Sequence, residues 1–112
     1  MNVASLATAA SFTTKDGSTI KELHHSDTQS LAEASLPAGT STQRHHHRSS
    51  EEIYFLLEGE AALELDGETR HVFPGDAILI PPGAWHEITA VTELRFLCCC
   101  APPYSHDDTY FA

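Results

Sequence analysis

The sequence predicts a single all-β domain, built as an antiparallel sandwich or barrel. The chain has 112 residues, of which 41% are apolar, so it can form one core of modest size but not two. Helical periodicity is hard to find along it. Turn residues instead divide the chain into about nine or ten short runs, and that close spacing is typical of antiparallel sheets.

Each run between two turns is a predicted strand. The turn signals include Lys15-Asp16-Gly17-Ser18, Pro74-Gly75-Asp76 and Asp66-Gly67, and the last of these is a strong hairpin signal. The continuous apolar run 53–57 is typical of a strand that is covered on both faces. The predicted strands cover residues 12–14, 19–23, 31–36, 43–47, 53–57, 61–65, 69–73, 77–80, 86–91 and 94–100.

The two ends of the chain are expected to lie outside the barrel. We predict an N-terminal arm at 1–11 that is loose or pairs at a sheet edge, the barrel at 12–101, and an irregular tail at 102–112 that lies over the surface. The segment 1–10 has neither the basic start nor the apolar run of a secretory signal. We therefore expect a cytoplasmic protein, in which the adjacent Cys98, Cys99 and Cys100 remain free thiols.

The charge balance excludes several classes of partner. Six Lys and Arg against sixteen Asp and Glu give a net charge of −10 with the eight histidines neutral. This balance argues against nucleic acid, which needs a basic face, and against an anionic membrane surface. No stretch approaches the roughly 18–20 apolar residues of a transmembrane helix. The expected partner is a small-molecule substrate.

Four residues are candidate metal ligands. His45 and His47 lie two apart on a predicted strand, so they face the same side. Glu52 opens the next strand after a short polar link, and a hairpin-like return brings its carboxylate beside them. His86 begins a later strand and adds a third imidazole if that strand pairs nearby. Three neutral imidazoles and one carboxylate form a strong site for a divalent transition metal.

Other basic residues near this cluster are expected to have structural roles. His46 faces away from the ligand side, since neighbouring residues on a strand alternate. Arg44 and Arg48 flank the ligand pair and could bind a carboxylate at the mouth of the site, although surface roles are favoured. The remaining histidines are expected at the surface or hydrogen-bonded: His24, His25, His71 and His106.

Two motifs resemble those of the cupin superfamily. The segment from Gly39 to Gly59 matches the first cupin motif, G-x5-H-x-H-x4-E-x6-G, with every fixed position filled. The segment from Gly75 to His86 matches the second motif, G-x5-P-x-G-x2-H. Fifteen residues separate the two motifs, which is similar to the spacing in small single-domain cupins.

The resemblance implies a fold and a cofactor. The fold is an antiparallel jelly-roll barrel with one divalent metal ion inside each chain, held by His45, His47, Glu52 and His86. A ligand set of this kind accepts iron, manganese, nickel, cobalt, copper or zinc. Small cupins are often homodimers, and the apolar outward face of Ile53, Phe55 and Leu57 suits such a contact.

The metal site leaves three functions open. The first is a non-haem dioxygenase or other oxygenase that acts on a small enolisable or phenolic substrate, because two open cis positions let substrate and O₂ bind side by side. The second is a non-redox isomerase, epimerase, cyclase or lyase that works through an enediolate. The third is a cupin that binds a small ligand without turnover, which the intact ligand set makes less favourable.

Residue parity suggests the walls of the active site. Tyr54 has the parity of Glu52, and Cys98 lies on the more apolar face of its strand, so both are candidate proton carriers. Leu56, Trp85 and Phe96 are candidate substrate contacts. The cavity is expected to be mostly apolar, which suits an aromatic or aliphatic substrate better than a free sugar.

Overall fold

Eleven strands and one short 3₁₀ helix at His106–Asp108 form the regular structure in a computed structural model that describes all 112 residues. No helix has the length and hydropathy needed to cross a membrane. The strands are β1 (Ser11–Thr13), β2 (Thr19–His25), β3 (Ser30–Leu36), β4 (His45–His47), β5 (Glu51–Glu58), β6 (Ala61–Leu65), β7 (Glu68–Val72), β8 (Ala77–Ile80), β9 (His86–Ala90), β10 (Leu94–Ala101) and β11 (Thr109–Phe111).

The strands form two antiparallel sheets. One has six strands in the order β1-β2-β3-β10-β5-β8, and the other has five in the order β11-β4-β9-β6-β7. Strands distant in sequence, such as β3 and β10, are therefore neighbours in a sheet. This is the jelly-roll arrangement, and the predicted fold class is confirmed.

The turn between β6 and β7 follows from two residues. Asp66 has a φ of 46° and Gly67 a φ of 90°, so both lie in the left-handed region. Two such residues in sequence make the type I′ turn, whose twist matches that of the flanking strands. The predicted Asp-Gly hairpin is therefore present, with β6 and β7 in continuous register from Ala61–Val72 to Leu65–Glu68.

The core lies between the sheets, and β5 shows how alternation fills it. Tyr54 and Leu56 are buried, at 2% and 1% exposure, among a cluster that also contains Phe96. Ile53 and Phe55 point the other way and are 40% and 39% exposed. Within one chain, the expectation that this apolar run is covered on both faces is therefore wrong, because Ile53 and Phe55 remain exposed on the outer face of β5.

The tail is more ordered than expected. Residues 102–112 were expected to be irregular, but β11 pairs with β4 in register, with Thr109 opposite His47 and Phe111 opposite His45. Thr109 is buried. A three-residue strand is too short to show a period of two, which is why the sequence pattern does not reveal it. The end of the chain thereby extends the sheet that carries two candidate ligands.

Candidate metal centre

Three imidazoles converge between the two sheets. His45 and His47 alternate inward from β4, and His86, the first residue of β9, lies directly opposite His45 in the sheet. All three side chains are at most 5% exposed, and one ring nitrogen from each lies within 4.8 Å of the others. The sheet register thus brings together histidines that the sequence separates by some forty residues.

Backbone carbonyls fix the orientation of two rings. His45 donates its Nδ1–H to the carbonyl of Gln43 at 2.7 Å, and His86 donates its Nδ1–H to the carbonyl of Ala84 at 2.9 Å. A carbonyl oxygen can only accept, so the proton is on Nδ1 and Nε2 keeps a free lone pair. An Nδ1–H bound in this way is the usual support of a histidine that ligates a metal.

The chain's C-terminal segment orients the third ring. His47 donates from Nδ1 to the carbonyl of Asp108 at 3.2 Å. The carboxylate of Asp108 accepts the backbone N–H groups of Arg48, Ser49 and Ser50 at 3.1–3.2 Å. Asp108 in the tail therefore orients His47 and also holds the link from β4 to β5, the strand that carries Glu52.

Glu52 completes the cluster from the opposite sheet. Its Oε1 lies 3.5 Å from Nε2 of His47 and 3.4 Å from Nε2 of His86. Its Oε2 accepts the thiol proton of Cys100, which is opposite it in the sheet, at 3.3 Å. Oε1 of Glu52 and Nε2 of His86 are buried without a hydrogen-bond partner. Buried polar atoms are almost always satisfied, so these atoms fit a site that receives a cation.

The protonation states of the cluster follow from burial and from the carboxylate. Burial, with the nearby charge of His86 second, lowers the pKa of His45 well below its ordinary range, so this ring is neutral at pH 7. Burial raises the pKa of Glu52, but the facing imidazoles of His47 and His86 outweigh it and hold that pKa below its ordinary range. Burial lowers the pKa of His47, but the facing carboxylate of Glu52 outweighs it, so the net shift is upward.

A residue that sequence reasoning missed also faces the cluster. Asp16 lies in the turn between β1 and β2, and its Oδ2 is 3.8 Å from Nε2 of His45. The sequence pattern assigns Asp16 a turn role only, and that role is also real, because its Oδ1 accepts hydrogen bonds from Thr14 and Ser18. Nothing in the spacing indicates that this turn folds towards β4.

The cluster opens into a cavity, and His45, His47 and Glu52 are among the residues that line it. Tyr54, Phe96 and Cys98 line this cavity, as residue parity predicted. The expectation of a mostly apolar wall agrees with the exposed surface of the cavity, which is largely apolar. The turn between β1 and β2, the strands β2 and β3, and the tail add polar side chains to it. The polar lining residues outside the ligand set are Thr14, Asp16, Ser18, Glu22, Ser30, Tyr104 and Thr109.

The two candidate proton carriers are held in their protonated forms. Burial, with the charge of Glu52 second, raises the pKa of Tyr54 well above its ordinary value. The same two causes, in the same order, raise the pKa of Cys98. At neutral pH both groups are therefore proton donors, and Cys98 does not present a thiolate.

Two candidate substrate contacts lie elsewhere. Leu56 belongs to the packed core and does not line the cavity. Trp85 packs on the outer side of the cluster, with its ring centroid 4.4 Å from that of His46 and the guanidinium of Arg44 5.2 Å above it. Trp85 directly precedes His86, which points inward. Neighbouring residues of an extended chain point to opposite faces, so the Trp85 side chain points outward.

The flanking basic residues have structural roles. Arg44 pairs with Glu64 on the outer surface, and the guanidinium of Arg48 lies 4.1 Å from the ring centroid of Tyr110. His46 stacks on Tyr110 with a centroid separation of 5.2 Å, on the side away from the cluster. The other four histidines are exposed, as expected: His24, His25, His71 and His106.

The fold and the site together define the class of protein. A jelly-roll barrel with inward His-x-His, Glu and His at the two motif positions is a cupin arrangement. The cupin domain family model matches residues 32–100, and the chain belongs to this family.

Two relatives are similar to the chain in sequence. The chain is 49% identical over 105 residues to the uncharacterized protein MJ1618 of Methanocaldococcus jannaschii, covering 88% of this chain and 84% of that one. It is 34% identical over 79 residues to the oxalate-binding protein of Thermotoga maritima, covering 69% and 65% respectively.

Solved structures support the fold. KdgF from a Halomonas species superposes with a TM-score of 0.86 at 20% identity, covering 94% of this chain and 96% of that one. The nucleoside dehydratase Pac13, known from Streptomyces, superposes with a TM-score of 0.84 at 15% identity, covering 97% and 88%. At these identities the likeness concerns the barrel alone.

Proposed function

We propose that this cupin is a metal-dependent oxygenase acting on a small enolisable or phenolic substrate. The observation that carries the proposal is the set of ring tautomers: each Nδ1 is committed to a carbonyl, so three Nε2 lone pairs face one point beside Glu52. A divalent ion bound there would polarise a substrate oxygen, and a redox-active ion would also activate O₂.

The residues around the cavity fit a small, partly apolar molecule. Phe96 and Tyr54 form one aromatic wall, with their ring centroids 4.7 Å apart. Tyr104 adds a hydroxyl group that can bind a substrate oxygen. A substrate with one flat apolar part and one or two oxygens matches this division.

A second candidate is a non-redox isomerase or lyase. It is favoured by the Tyr54 hydroxyl, which stays protonated in the cavity near the cluster, at 6.0 Å between its ring centroid and that of His86. Such a group can deliver a proton to an enediolate carbon or oxygen. Turnover that continues without O₂ would establish this candidate and overturn the oxygenase.

The deciding experiment combines metal analysis with oxygen uptake. Protein purified without added metal is analysed for its elements and then mixed with a panel of phenols and diketones under air and under nitrogen. We expect iron or copper, and O₂ uptake that depends on the substrate. Tight oxalate binding with no turnover on any substrate would instead support a binding role, like that named for the Thermotoga maritima relative.

Replacing one ligand tests the centre itself. We expect His86→Ala to lower the metal content and to remove the rise in melting temperature that added metal gives, since bound metal stabilises the folded state. His71→Ala is the matched control, because His71 is exposed on β7. Metal content in His86→Ala equal to that of the control would contradict the ligand assignment.

A further inference from the structure

We propose that Asp16 is a second carboxylate ligand of the metal centre, beyond the three histidines and Glu52. The inference rests on the proposed function only in needing a metal at this site. It starts from the 3.8 Å between Oδ2 of Asp16 and Nε2 of His45, the atom that carries the free lone pair. The Asp16 side chain is 16% exposed and lines the cavity.

The two oxygens of Asp16 are used differently. Oδ1 accepts three hydrogen bonds, from the Thr14 hydroxyl at 2.6 Å, the Ser18 hydroxyl at 2.7 Å and the Ser18 N–H at 2.9 Å. Oδ2 accepts none and is the oxygen that faces His45. The turn therefore fixes the carboxylate through one oxygen and presents the other to the cluster.

The turn is also attached to the ligand strand. The carbonyl of Asp16 accepts the N–H of Gln43 at 2.8 Å. The carbonyl of Gln43 in turn accepts the Nδ1–H of His45. One short chain of hydrogen bonds thus sets the position of the Asp16 carboxylate relative to the His45 ring.

The distance between Asp16 and His45 suits two ligands of one ion. Metal bonds to imidazole nitrogen and carboxylate oxygen are about 2.0–2.2 Å long, so two donors on one ion lie roughly 3 Å apart at a right angle and about 4.2 Å apart when opposite. The 3.8 Å between Asp16 and His45 falls in this range. So do the 3.5 Å and 3.4 Å between Glu52 and the rings of His47 and His86.

A second carboxylate changes what the centre can bind. With two carboxylate ligands, a divalent ion becomes formally neutral, and one position fewer is open. Such a centre favours metals that accept oxygen ligands and holds a neutral or singly charged substrate oxygen better than a chelating dianion. The substrate class that follows is a phenol or enol bound through one oxygen.

The test compares Asp16→Asn with Glu22→Gln. Asparagine keeps the oxygen that accepts the three turn bonds and removes the ligating one. Glu22 lines the same cavity, so its replacement removes an equal charge without touching the cluster. With Co²⁺ as the probe, we expect Asp16→Asn to weaken binding about 10- to 100-fold in competition with a chelator, and to change the visible ligand-field spectrum. Glu22→Gln should do neither.

The outcomes separate the two proposals. An unchanged Co²⁺ spectrum and equal affinity losses in the two variants would show that Asp16 acts only through its charge, and would overturn the inference while leaving the metal centre intact. Failure of the unaltered protein to bind Co²⁺, Mn²⁺ or Fe²⁺ would overturn both this inference and the proposed oxygenase. A changed spectrum in Asp16→Asn alone establishes the ligand.

Discussion

Single atoms decide which chemistry this site can perform. The cluster offers imidazole nitrogens and carboxylate oxygen, while the neighbouring thiol of Cys100 donates a hydrogen bond to Glu52. Burial, with the charge of Glu52 second, raises the pKa of Cys100, so a competing thiolate does not form beside the ligands. The donor set therefore favours borderline divalent metals over soft ones.

The charge of Glu52 should be visible in the titration of His47. In the metal-free protein, the carboxylate stabilises the imidazolium and raises the pKa of His47 above 6.5 despite burial. Replacing Glu52 by Gln removes this effect and leaves the burial, so the pKa of His47 should fall. Histidine NMR signals followed from pH 4 to 9 measure both values.

Glu51→Gln is the control for this titration. Glu51 precedes Glu52 on the same strand but is exposed, so its replacement should leave the His47 signal where it was. An equal downward shift in both variants would mean that general charge, not the facing carboxylate, sets the protonation of His47.

The four motif ligands were predictable, whereas Asp16 was not. His45, His47 and Glu52 follow from alternation and a short link, and both are local properties of the sequence. The position of Asp16 depends on how the first hairpin folds across the second sheet. That contact is set by packing between distant segments, and no local pattern encodes it.

At the scale of elements, the segment after β10 organises the site. The link between β4 and β5 has three successive N–H groups that point at the Asp108 carboxylate, and such a concavity of N–H groups suits an anion. Thr109 then begins β11 directly beside His47. The tail acts as a clamp on the ligand strand and not as a loose cover.

Removing the Asp108 carboxylate should therefore loosen the metal site. Asp108→Ala is expected to weaken metal binding about tenfold, since outer partners of ligands typically contribute 10- to 100-fold. It should also destabilise the metal-free protein by about 1–2 kcal/mol, because several charge-assisted hydrogen bonds to a partly exposed group are lost. Metal titration and urea denaturation measure the two effects.

The adjacent Asp107 provides the comparison. It lies in the same 3₁₀ helix but is exposed and makes no side-chain hydrogen bond. Asp107→Ala should change neither quantity appreciably. If both alanine variants bound metal as tightly as the unaltered protein, the clamp would have no role in holding the ligands.

Most strands were predictable, and the exceptions have a common cause. The runs from β2 to β10 are separated by turn residues or short polar links, so their limits agree with the sequence pattern to within a few residues. β11 has three residues after a polar segment, and its pairing depends on β4, which is equally short. Elements of this size take their conformation from their neighbours.

For the whole molecule, the outer face of the six-stranded sheet is the largest unexplained feature. Ile53, Phe55 and Leu79 are 39–53% exposed there, and Ile53 lies opposite both Leu79 and Cys99 in the sheet. The patch continues onto β8, an edge strand whose free side can accept another strand. Contiguous apolar patches of this kind mark interaction sites.

We propose that a second copy of the chain covers this face. A two-fold contact places the same patch on both subunits, which suits the exposed apolar side chains of Ile53, Phe55 and Leu79. Sedimentation velocity should therefore give a dimer, and Phe55→Glu should give a monomer. Val91→Glu, which alters an equally exposed apolar residue in the turn between β9 and β10, should remain a dimer.

Two results would contradict the proposed dimer. The unaltered protein could sediment as a monomer at every concentration tested, or Phe55→Glu and Val91→Glu could sediment alike as dimers. Either result would leave the outer face of β5 without this role.

The clamp on β4 also sets an order of events during biosynthesis. His47 and its acceptor Asp108 are 61 residues apart in the chain. A ribosome that adds roughly 5–20 residues per second needs about 3–12 s to translate that interval. During that interval the nascent chain has His45 and His47, and later His86, but not the carbonyl that orients His47. The candidate metal centre is therefore completed only after residues 106–111 have been translated, which places its completion late in the maturation of the protein.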